Sequence, residues 1–277
     1  MTQKSILITG CSSGIGYDAA HTLHKRGWRV FATCRKPEDC ERLRNEGLES
    51  FVLDYEDEPS IKAAVAETLK RTGGTLDALY NNGAYAIPAL VQDYPRDALR
   101  AIFEANFFGY FDLINQILPV MFAQGHGRII NCSSVLGITA MKGRGAYNAT
   151  KFAIEGLTDT LRLELRNQPI DIILVEPGPI STAIRQNAQI QFAKWIDWEN
   201  SLARKVYEQT MMPRLYAKDT KPDSGELPSS AVTEKLIHAL ESPRPKPRYY
   251  VTTPTYVAGF LKRILSTRAL DYFYSRL

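Results

Sequence analysis

The chain has 277 residues, of which 44% are hydrophobic and 23% are charged, and its formal net charge at pH 7 is +4. A chain of this length and apolar content can bury a substantial core. Its 34 basic residues are scattered among 30 acidic ones, so the charge pattern indicates a solvated surface and excludes a nucleic-acid partner.

Apolar, β-branched segments alternate with helical patterns along the chain. Strands are predicted near residues 5–9, 29–33, 50–54, 77–81, 127–133, 170–175 and 248–252. Helical patterns lie between most of them, which is typical of an α/β protein with a parallel sheet. We therefore predict one domain over residues 1–277, with a doubly wound parallel sheet of about seven strands flanked by helices.

A glycine-rich turn follows the first predicted strand. The apolar strand Ser5-Ile-Leu-Ile-Thr9 leads at once into Gly10-Cys-Ser-Ser-Gly-Ile-Gly16, where a helical pattern begins. Glycines allow a tight turn and a close backbone approach to a pyrophosphate, and the helix N-terminus supplies amide donors. The spacing Gly-x-x-x-Gly-x-Gly differs from the common Gly-x-Gly-x-x-Gly fingerprint. The turn nevertheless predicts a dinucleotide site in a Rossmann-type fold.

The end of the second predicted strand bears on which dinucleotide is bound. A carboxylate there holds the ribose 2′-hydroxyl of NAD, whereas a nearby arginine accommodates the 2′-phosphate of NADP. In this chain the carboxylate position falls on Cys34, and Arg35 follows it. An arginine–phosphate contact is charge-assisted. Arg35 therefore favours NADP, and the alternative is that Arg35 and Lys36 are ordinary loop charges.

Two pairs of polar residues follow the fifth predicted strand. Ser133 and Ser134 stand at its end, and sites in open parallel sheets lie at the carboxyl ends of strands. Tyr147 and Lys151 are four residues apart, so on a helix they share a face. An adjacent ammonium favours the phenolate and lowers the tyrosine pKa from about 10 toward the working range. Surface helices produce many such pairs, and the position of this one after the two serines is what indicates a proton-transfer site.

These motifs resemble the short-chain dehydrogenase/reductase family, and the resemblance covers nearly the whole chain. Thr9–Gly16 is similar to the family's glycine motif, and Asn81-Asn-Gly-Ala84 is similar to its Asn-Asn-Ala-Gly segment with the last two residues inverted. Glu176-Pro-Gly-Pro-Ile-Ser-Thr182 is similar to the segment that packs on the nicotinamide. The family's catalytic tetrad is matched in order and spacing by Asn106, Ser134, Tyr147 and Lys151.

The resemblance implies a role for each matching residue. Ser134 would hydrogen-bond the substrate oxygen, Tyr147 would be the general acid or base, and Lys151 would lower the phenol pKa and hold the nicotinamide ribose. Asn106 would position a water that links Lys151 to solvent, but a polar residue that satisfies a helix kink also explains it. The implied cofactor contacts are Gly10, Ser12, Ser13, Gly14, Ile15, Gly16, Arg35, Asp54, Asn82, Tyr147, Lys151, Pro177, Gly178, Ile180 and Thr182. Among these, Ser12 would touch the 2′-phosphate, Asp54 the adenine and Thr182 the carboxamide.

The long segment 183–228 bears on the substrate. Its larger apolar residues are Phe192, Trp195, Trp198, Tyr207, Met211, Met212 and Tyr216. Long connections are often lids, and in this family the insertion at this point covers the substrate. Contact with an apolar ligand and packing on the core both explain these side chains. Leu136 is predicted to line the substrate site with Ser134 and Tyr147, and Tyr85 and Ile87 could add apolar walls.

The tail, residues 254–277, predicts an amphipathic helix. Its apolar stripe consists of Val257, Phe260, Leu261, Ile264 and Leu265. The helix is too short and too charged to span a bilayer. It either docks on the chain itself or a subunit, or lies on a membrane surface. The tail is most similar to the branch with 17β-hydroxysteroid and retinol dehydrogenases and bacterial NADP-dependent aldehyde reductases, which implies a hydrophobic aldehyde, ketone, retinoid or steroid.

Location, metals and partners complete the expectations. No signal peptide precedes the first strand, so we expect a cytoplasmic protein, membrane-peripheral if the tail binds lipid. The cysteines and histidines lack metal-ligand spacing, so no metal is predicted. By resemblance, helices around 98–124 and 147–167 would pair subunits in a homodimer or homotetramer. Two alternatives stay open: an NAD-dependent dehydrogenase of a polar alcohol, and a dinucleotide-binding regulator without chemistry, against which the complete tetrad argues.

Overall fold

The computed structural model describes residues 3–217 and 222–276. The strands are β1 (Ser5–Ile8), β2 (Arg29–Cys34), β3 (Glu49–Val52), β4 (Ala78–Asn81), β5 (Gly127–Cys132), β6 (Ile170–Glu176) and β7 (Arg248–Tyr250). In this described part they form one seven-stranded sheet in the order β3-β2-β1-β4-β5-β6-β7, with every neighbouring pair parallel. The predicted strands are confirmed to within two residues at either end.

Helices connect the strands and cover both faces of the sheet. They are α1 (Gly14–Lys25), α2 (Pro37–Asn45), α3 (Glu58–Thr72), α4 (Arg96–Phe103), α5 (Gly109–Gln124), α6 (Gly145–Glu164), α7 (Ile184–Trp195), α8 (Arg204–Val206), α9 (Met212–Tyr216), α10 (Ser230–Glu241), α11 (Thr253–Ile264) and α12 (Thr267–Tyr274). Short π turns join α4 to α5 and α8 to α9. The predicted doubly wound architecture is confirmed.

The alternation of side chains along each strand builds two cores. Leu7 of β1, Leu79 of β4 and Ile129 of β5 lie in one core with α3, α5 and α6. Their neighbours Ile8 and Tyr80 lie in the other core with α1, α2 and α10. Successive residues of a strand point to opposite faces. Both faces are covered, which explains why the strands read as nearly continuous apolar runs.

A ladder of buried polar side chains crosses the sheet just below its carboxyl edge. The hydroxyls of Thr9 and Tyr55 lie 2.6 Å apart, and Tyr55 Oη donates to Asn81 Oδ1 at 2.9 Å. Asn81 Nδ2 donates to Asn131 Oδ1 at 2.9 Å, and Asn131 Nδ2 donates to Thr158 Oγ1 at 2.9 Å. A buried polar network whose members are paired rigidifies its surroundings. The ladder therefore fixes the ends of β1, β4 and β5 relative to α6.

Two helical glycines give a matched test of this packing. A Cβ at Gly109, at the start of α5, would overlap the side chain of Tyr55, whereas a Cβ at Gly156, on α6, meets nothing within 4 Å. Overpacking costs about 1–3 kcal/mol, and Gly→Ala in an open helix position gains about 0.5–1 kcal/mol. We expect Gly109→Ala to lower the free energy of unfolding and Gly156→Ala to raise it, measured by urea denaturation. Equal effects of the two variants would contradict this account of Tyr55 packing.

Candidate active site

The predicted glycine turn lies between the end of β1 and the start of α1. Gly10 and Gly14 have φ of 69° and 58°, the left-handed region that favours glycine. A Cβ at Gly10 would lie 2.6 Å from the Cα of Gly83, and one at Gly16 would overlap the carbonyl oxygen of Gly10. No side chain therefore covers the backbone amides where the helix begins. Amide donors at a bare helix N-terminus fit the pyrophosphate of a dinucleotide.

The segment after β4 holds this turn in place. Asn82 Nδ2 donates to the carbonyl oxygen of Thr9 at 3.0 Å, and the Asn82 amide donates to Thr9 Oγ1 at 2.9 Å. The side chain predicted to contact the cofactor thus fastens the turn that would bind it. At the inverted pair Gly83-Ala84, a Cβ at residue 83 would lie 3.2 Å from Tyr55 Cε2 and 3.4 Å from the Gly10 nitrogen, so the tightest contact there is with the Tyr55 ring.

Two arginines border the glycine turn. Arg35 is exposed directly after β2, and the end of β2 contacts the turn through a hydrogen bond from the Cys11 amide to the Thr33 carbonyl at 2.9 Å. Arg42, on α2, donates from Nη2 to the carbonyl oxygen of Ser12 at 2.7 Å. Sequence reasoning missed Arg42, which only the packing of α2 brings to the turn. The Arg42 guanidinium thus contacts the turn directly, and Arg35 lies at the strand end next to it.

Ser134 caps the short turn Val135–Gly137 that follows β5. Its Oγ accepts a hydrogen bond from the Leu136 amide at 3.1 Å, so the hydroxyl is oriented by the backbone. The Val135 amide donates to the Pro177 carbonyl at 2.7 Å, which ties this turn to the segment after β6. With an oxygen lone pair already used, the Ser134 O–H is available as a donor.

Tyr147 and Lys151 lie on one face of α6, as their spacing predicts. Both side chains are buried. Lys151 Nζ donates to the Cys132 carbonyl oxygen at 2.7 Å and lies 5.5 Å from the ring centroids of Tyr147 and Tyr110. The carbonyl partner offsets part of the cost of burying an ammonium. The structure therefore brings the hydroxyl, the phenol and the amine together at the end of β5.

The pKa of Tyr147 departs from the sequence-based expectation. Burial raises this pKa above its ordinary value, while a hydrogen bond with Ser134 and the charge of Arg144 act to lower it. Lys151 is not among the groups that shift this pKa, so its lowering of the phenol pKa stays a prediction. Its ammonium is directed to the Cys132 carbonyl, and burial lowers the pKa of Lys151 itself.

Asn106 lies in the π turn Glu104–Phe108 between α4 and α5 and is fully buried. Its Oδ1 accepts from the Tyr85 amide at 3.1 Å, and its Nδ2 donates to the Tyr85 carbonyl at 2.9 Å and to Thr150 Oγ1 at 3.2 Å. π turns interrupt regular helical hydrogen bonding. These contacts favour the interpretation of Asn106 as a polar residue that satisfies an irregular helix.

The segment after β6 meets the glycine turn. A Cβ at Gly14 would lie 3.0 Å from Thr182 Cγ2, so the residues predicted to hold the pyrophosphate and the nicotinamide carboxamide are neighbours. Gly178 packs directly on Thr252, where a side chain would overlap the threonine hydroxyl. Ile180 pairs with Leu227, which brings the far end of the insertion back to this segment. Asp54 lies half-buried after β3, with Oδ1 accepting from the Glu56 amide at 3.1 Å.

The insertion 183–228 packs both on the core and beside the site. Phe192 and Tyr207 are buried, and Tyr207 Oη donates to Asp93 Oδ2 at 2.7 Å. Packing on the core therefore explains these two aromatic residues. Met211 reaches Gly143, in the loop before Tyr147, where a Cβ would lie 2.9 Å from Met211 Cε. Residues 218–221 of the insertion and residue 277 of the tail lie outside the described residues.

Of the residues predicted as apolar walls of the substrate site, some lie beside the site and one is part of the core. Leu136 is half-buried beside Ser134, and Tyr85 keeps a small exposed fraction. Ile87 has no exposed surface, so its prediction as a wall of the site is wrong. It belongs to the core under α4 and α6. The pattern of apolar residues in the sequence does not distinguish a residue that lines the site from one that packs in the core behind it.

A partly buried charge cluster, which the sequence did not reveal, lies beside the middle of α6. Arg248 Nη1 pairs with Glu176 at 2.5 Å and with Glu155, and Arg248 Nη2 pairs with Asp159 at 2.5 Å. One guanidinium thus faces three carboxylates. Burial, followed by the charge of Glu155, raises the pKa of Glu176 to about 8, against the opposing effect of Arg248.

This cluster predicts a pH dependence of stability. An unfolded glutamate titrates near pH 4.3, so between about pH 4.3 and pH 8 the folded state holds a proton on Glu176 that the unfolded state releases. Stability therefore falls as pH rises through this window and levels off above it. Glu176→Gln keeps an acceptor for Arg248 but has no proton to lose, so its free energy of unfolding should fall less between pH 5 and pH 8.5, by on the order of a few kcal/mol.

The measurement is denaturant unfolding of the protein and the variant at each pH. Glu241→Gln, which changes an exposed partner of Arg26, is the control and should follow the parent protein. Parallel pH profiles for the parent and Glu176→Gln would show that Glu176 is ionised in the folded protein.

Comparison with known proteins gives one consistent family. The family model described as short chain dehydrogenase matches residues 4–192. The uncharacterized oxidoreductase YbbO of Escherichia coli K12 is 39% identical over 270 residues, which cover 97% of this chain and 93% of YbbO.

A mammalian relative and a solved structure agree with this assignment. Mouse retinol dehydrogenase 7 is 29% identical over 256 residues, covering 90% of this chain and 80% of its own. The crystal structure of a short-chain dehydrogenase from Streptomyces avermitilis superposes with a TM-score of 0.79 at 25% identity, covering 99% of this chain and 97% of that one.

Proposed function

The chain belongs to the short-chain dehydrogenase family of oxidoreductases, and we propose that it transfers hydride between NADP(H) and the carbonyl or alcohol carbon of a hydrophobic substrate. The observation that supports this best is the grouping of Ser134, Tyr147 and Lys151 at the end of β5, across from the bare glycine turn. A dinucleotide-binding regulator would need none of these three groups.

Each residue has a role in the proposed reaction. Bound NADP(H) would supply or accept the hydride. Because Ser134 Oγ already accepts from the Leu136 amide, its O–H donates to the substrate oxygen. Tyr147 gives its proton to that oxygen in reduction and takes it back in oxidation. Lys151 lies behind the phenol and holds a positive charge near it.

The protonation state of Tyr147 determines which proton-transfer role it is ready to take. Burial raises the phenol pKa, so the protonated form dominates at neutral pH. Reduction of a carbonyl needs a proton donor at the oxygen, which is the form present. Oxidation of an alcohol needs the phenolate, which the protein groups by themselves disfavour. We infer that Tyr147 is held in the proton-donor form near neutral pH, while the net direction of the reaction is set by the concentrations of substrate, product and cofactor.

NADP is favoured over NAD by the charges around the glycine turn. Arg35 and Arg42 border the turn, and Ser12 lies within it. A 2′-phosphate would pair with these cations, whereas a ribose hydroxyl needs a carboxylate that Cys34 does not supply. Asp54 would face the adenine, Thr182 the carboxamide, and the amides from Ser13 to Gly16 the pyrophosphate. The residues present fit this cofactor.

A hydrophobic substrate is supported by the surroundings of Ser134. Leu136 adjoins the hydroxyl, and Met211 of the insertion reaches the loop before Tyr147. A relative over most of the chain is named a retinol dehydrogenase, which agrees with a large apolar ligand. A long-chain aldehyde, ketone, retinoid or steroid fits this description.

We also propose that the chain forms a homo-oligomer through α5 and α6. These helices expose several large apolar side chains: Phe108, Phe111, Phe122, Phe152 and Leu163. Phe108 stands in the π turn at the start of α5, and the others are on the helices themselves. Exposed apolar patches of this kind mark interaction surfaces.

The test is the initial rate of NADPH and NADH oxidation against aldehydes of increasing chain length, followed by retinal and a ketosteroid. Rates with NADPH that rise with chain length would support both the cofactor and the apolar site. Faster turnover with NADH and short polar substrates would favour the NAD-dependent alternative. Tight NADPH binding without turnover on any carbonyl or alcohol would favour the regulator.

A further inference from the structure

The apolar stripe of the tail faces outward. On α11, Phe260 and Ile264 are 61% and 58% exposed, and Tyr256 and Val257 are also exposed. The side of α11 that packs on the protein carries small residues instead, with Thr255, Ala258 and Gly259 buried. Leu261 and Leu265 of the stripe are half-buried, whereas Val257, Phe260 and Ile264 are not covered by the chain that carries them.

A basic cavity opens beside this exposed face. Its volume is about 460 Å³, and its lining includes three cations, Lys235, Lys246 and Arg263, and one carboxylate, Glu234. Within residues 3–217 and 222–276, none of these three cations forms an ion pair with a carboxylate. The charge of the cavity is thus open to a ligand from outside.

The cavity and the apolar face form one surface. Tyr256 belongs to the exposed face and also lines the cavity, together with Tyr250, whose ring lies 5.4 Å away. Arg263 lies one residue before Ile264 and lines the cavity as well. Between residues 253 and 276 the sequence has four basic residues and one acidic residue, Asp271. An apolar helix face edged by unpaired cations is typical of segments that lie on anionic membranes.

We propose that this surface binds an anionic phospholipid bilayer, with Val257, Phe260 and Ile264 in the acyl boundary and Lys246 and Arg263 on lipid phosphates. Among the described residues no helix is both long and apolar enough to cross a membrane, so the attachment is to the surface. The unpaired cations Lys246 and Arg263 favour an anionic bilayer over a partner with a neutral apolar surface. The proposal goes beyond the proposed reaction and does not depend on it.

The tail also lies close to the candidate active site. Gly259 and Lys262 share a second cavity, of about 360 Å³, with Gly137 and Ile138 of the turn after Ser134. Lys142, in the loop before Tyr147, donates to the Ser275 carbonyl at 2.6 Å. One helix, about 10 Å thick, thus separates the proposed bilayer from the turn that carries Leu136.

Flotation with vesicles tests the proposal. The full chain is mixed with vesicles of phosphatidylcholine alone, or of phosphatidylcholine with phosphatidylglycerol, at low and high salt. We expect binding to the anionic vesicles only, weakened by salt. Lys246→Gln with Arg263→Gln should weaken it about 25-fold, from about fivefold for each cation near an anionic surface. Phe260→Ser with Ile264→Ser should weaken it at least tenfold, on the order of the burial of two large side chains.

Matched controls separate this surface from general charge and hydrophobicity. Lys70→Gln with Lys205→Gln removes two cations elsewhere, and Leu202→Ser with Ile190→Ser removes two exposed apolar side chains elsewhere. Both controls should bind as the parent does. Because all the changed side chains are exposed, unchanged circular dichroism and thermal unfolding are expected for every variant.

Three outcomes would overturn the proposal. The first is equal binding to neutral and anionic vesicles, or none to either. The second is a parent protein that does not bind vesicles and whose oligomer, measured by light scattering, becomes a monomer in Phe260→Ser with Ile264→Ser. That result would identify this face as a subunit interface. The third is binding of inorganic phosphate in the cavity, measured by calorimetry, by a protein that does not float with vesicles.

Discussion

Tyr147→Phe is expected to lower kcat for carbonyl reduction by about 10²- to 10⁴-fold, the range for loss of a positioned general acid. The phenol is the group that the fold places beside Ser134, and its raised pKa keeps it protonated near neutral pH. Removing only the oxygen leaves the ring packed between the same neighbours, so folding and NADPH binding should persist. Stopped-flow or steady-state NADPH oxidation with a long-chain aldehyde measures the loss.

Tyr110→Phe is the matched control. Tyr110 is also buried, and Lys151 Nζ lies 5.5 Å from its ring, the same distance as from Tyr147. Its hydroxyl has no hydrogen-bond partner among the described residues, so this variant should keep the parent rate. Near-normal turnover in Tyr147→Phe, or an equal loss in both variants, would remove Tyr147 from the proposed role.

Arg35→Ala is expected to reduce the preference for NADPH over NADH by roughly 10- to 100-fold. A charge-assisted hydrogen bond contributes about 1.5–3 kcal/mol, and the 2′-phosphate is present only in NADPH. The loss should therefore appear as a higher KM for NADPH, with the NADH parameters little changed. The ratio of kcat/KM for the two cofactors is the measurement.

Lys36→Ala serves as the neighbouring control. Lys36 is exposed, and its only carboxylate partner within the described chain is Glu38 at 3.9 Å. If Arg35 binds the phosphate, Lys36→Ala should shift the ratio much less than Arg35→Ala. An equal and small shift in both variants would support the interpretation of the two residues as loop charges. A preference for NADPH that survives in Arg35→Ala would direct attention to Arg42, which already contacts the glycine turn.

Local patterns predicted the elements of this fold well. The strands are short apolar runs that end in turn residues, and such runs form buried strands whatever their partners are. Tyr147 and Lys151 share a face because their spacing in a helix requires it. The glycine turn required bare backbone, and the φ values of Gly10 and Gly14 confirm it.

Contacts between distant segments were beyond such patterns. Arg42 reaches Ser12 because α2 packs on β2, whose end adjoins the glycine turn. Arg248 meets Glu155, Asp159 and Glu176 because β7 pairs with β6 next to α6. An apolar residue such as Ile87 fits either a wall of the site or the core, and only its complete burial in the structure shows that it belongs to the core. The tail pattern predicted an amphipathic helix but not the direction in which its apolar stripe points.

The sequence by itself determined the order of strands and helices, the bare turn at Gly10–Gly16 and the spacing of Ser134, Tyr147 and Lys151, because these depend on residues close together in the chain. Only the tertiary structure decided that Lys151 is directed to the Cys132 carbonyl, that burial raises the Tyr147 pKa and that Phe260 and Ile264 face solvent. Burial, side-chain direction and long-range charge depend on how elements pack, which no local periodicity specifies.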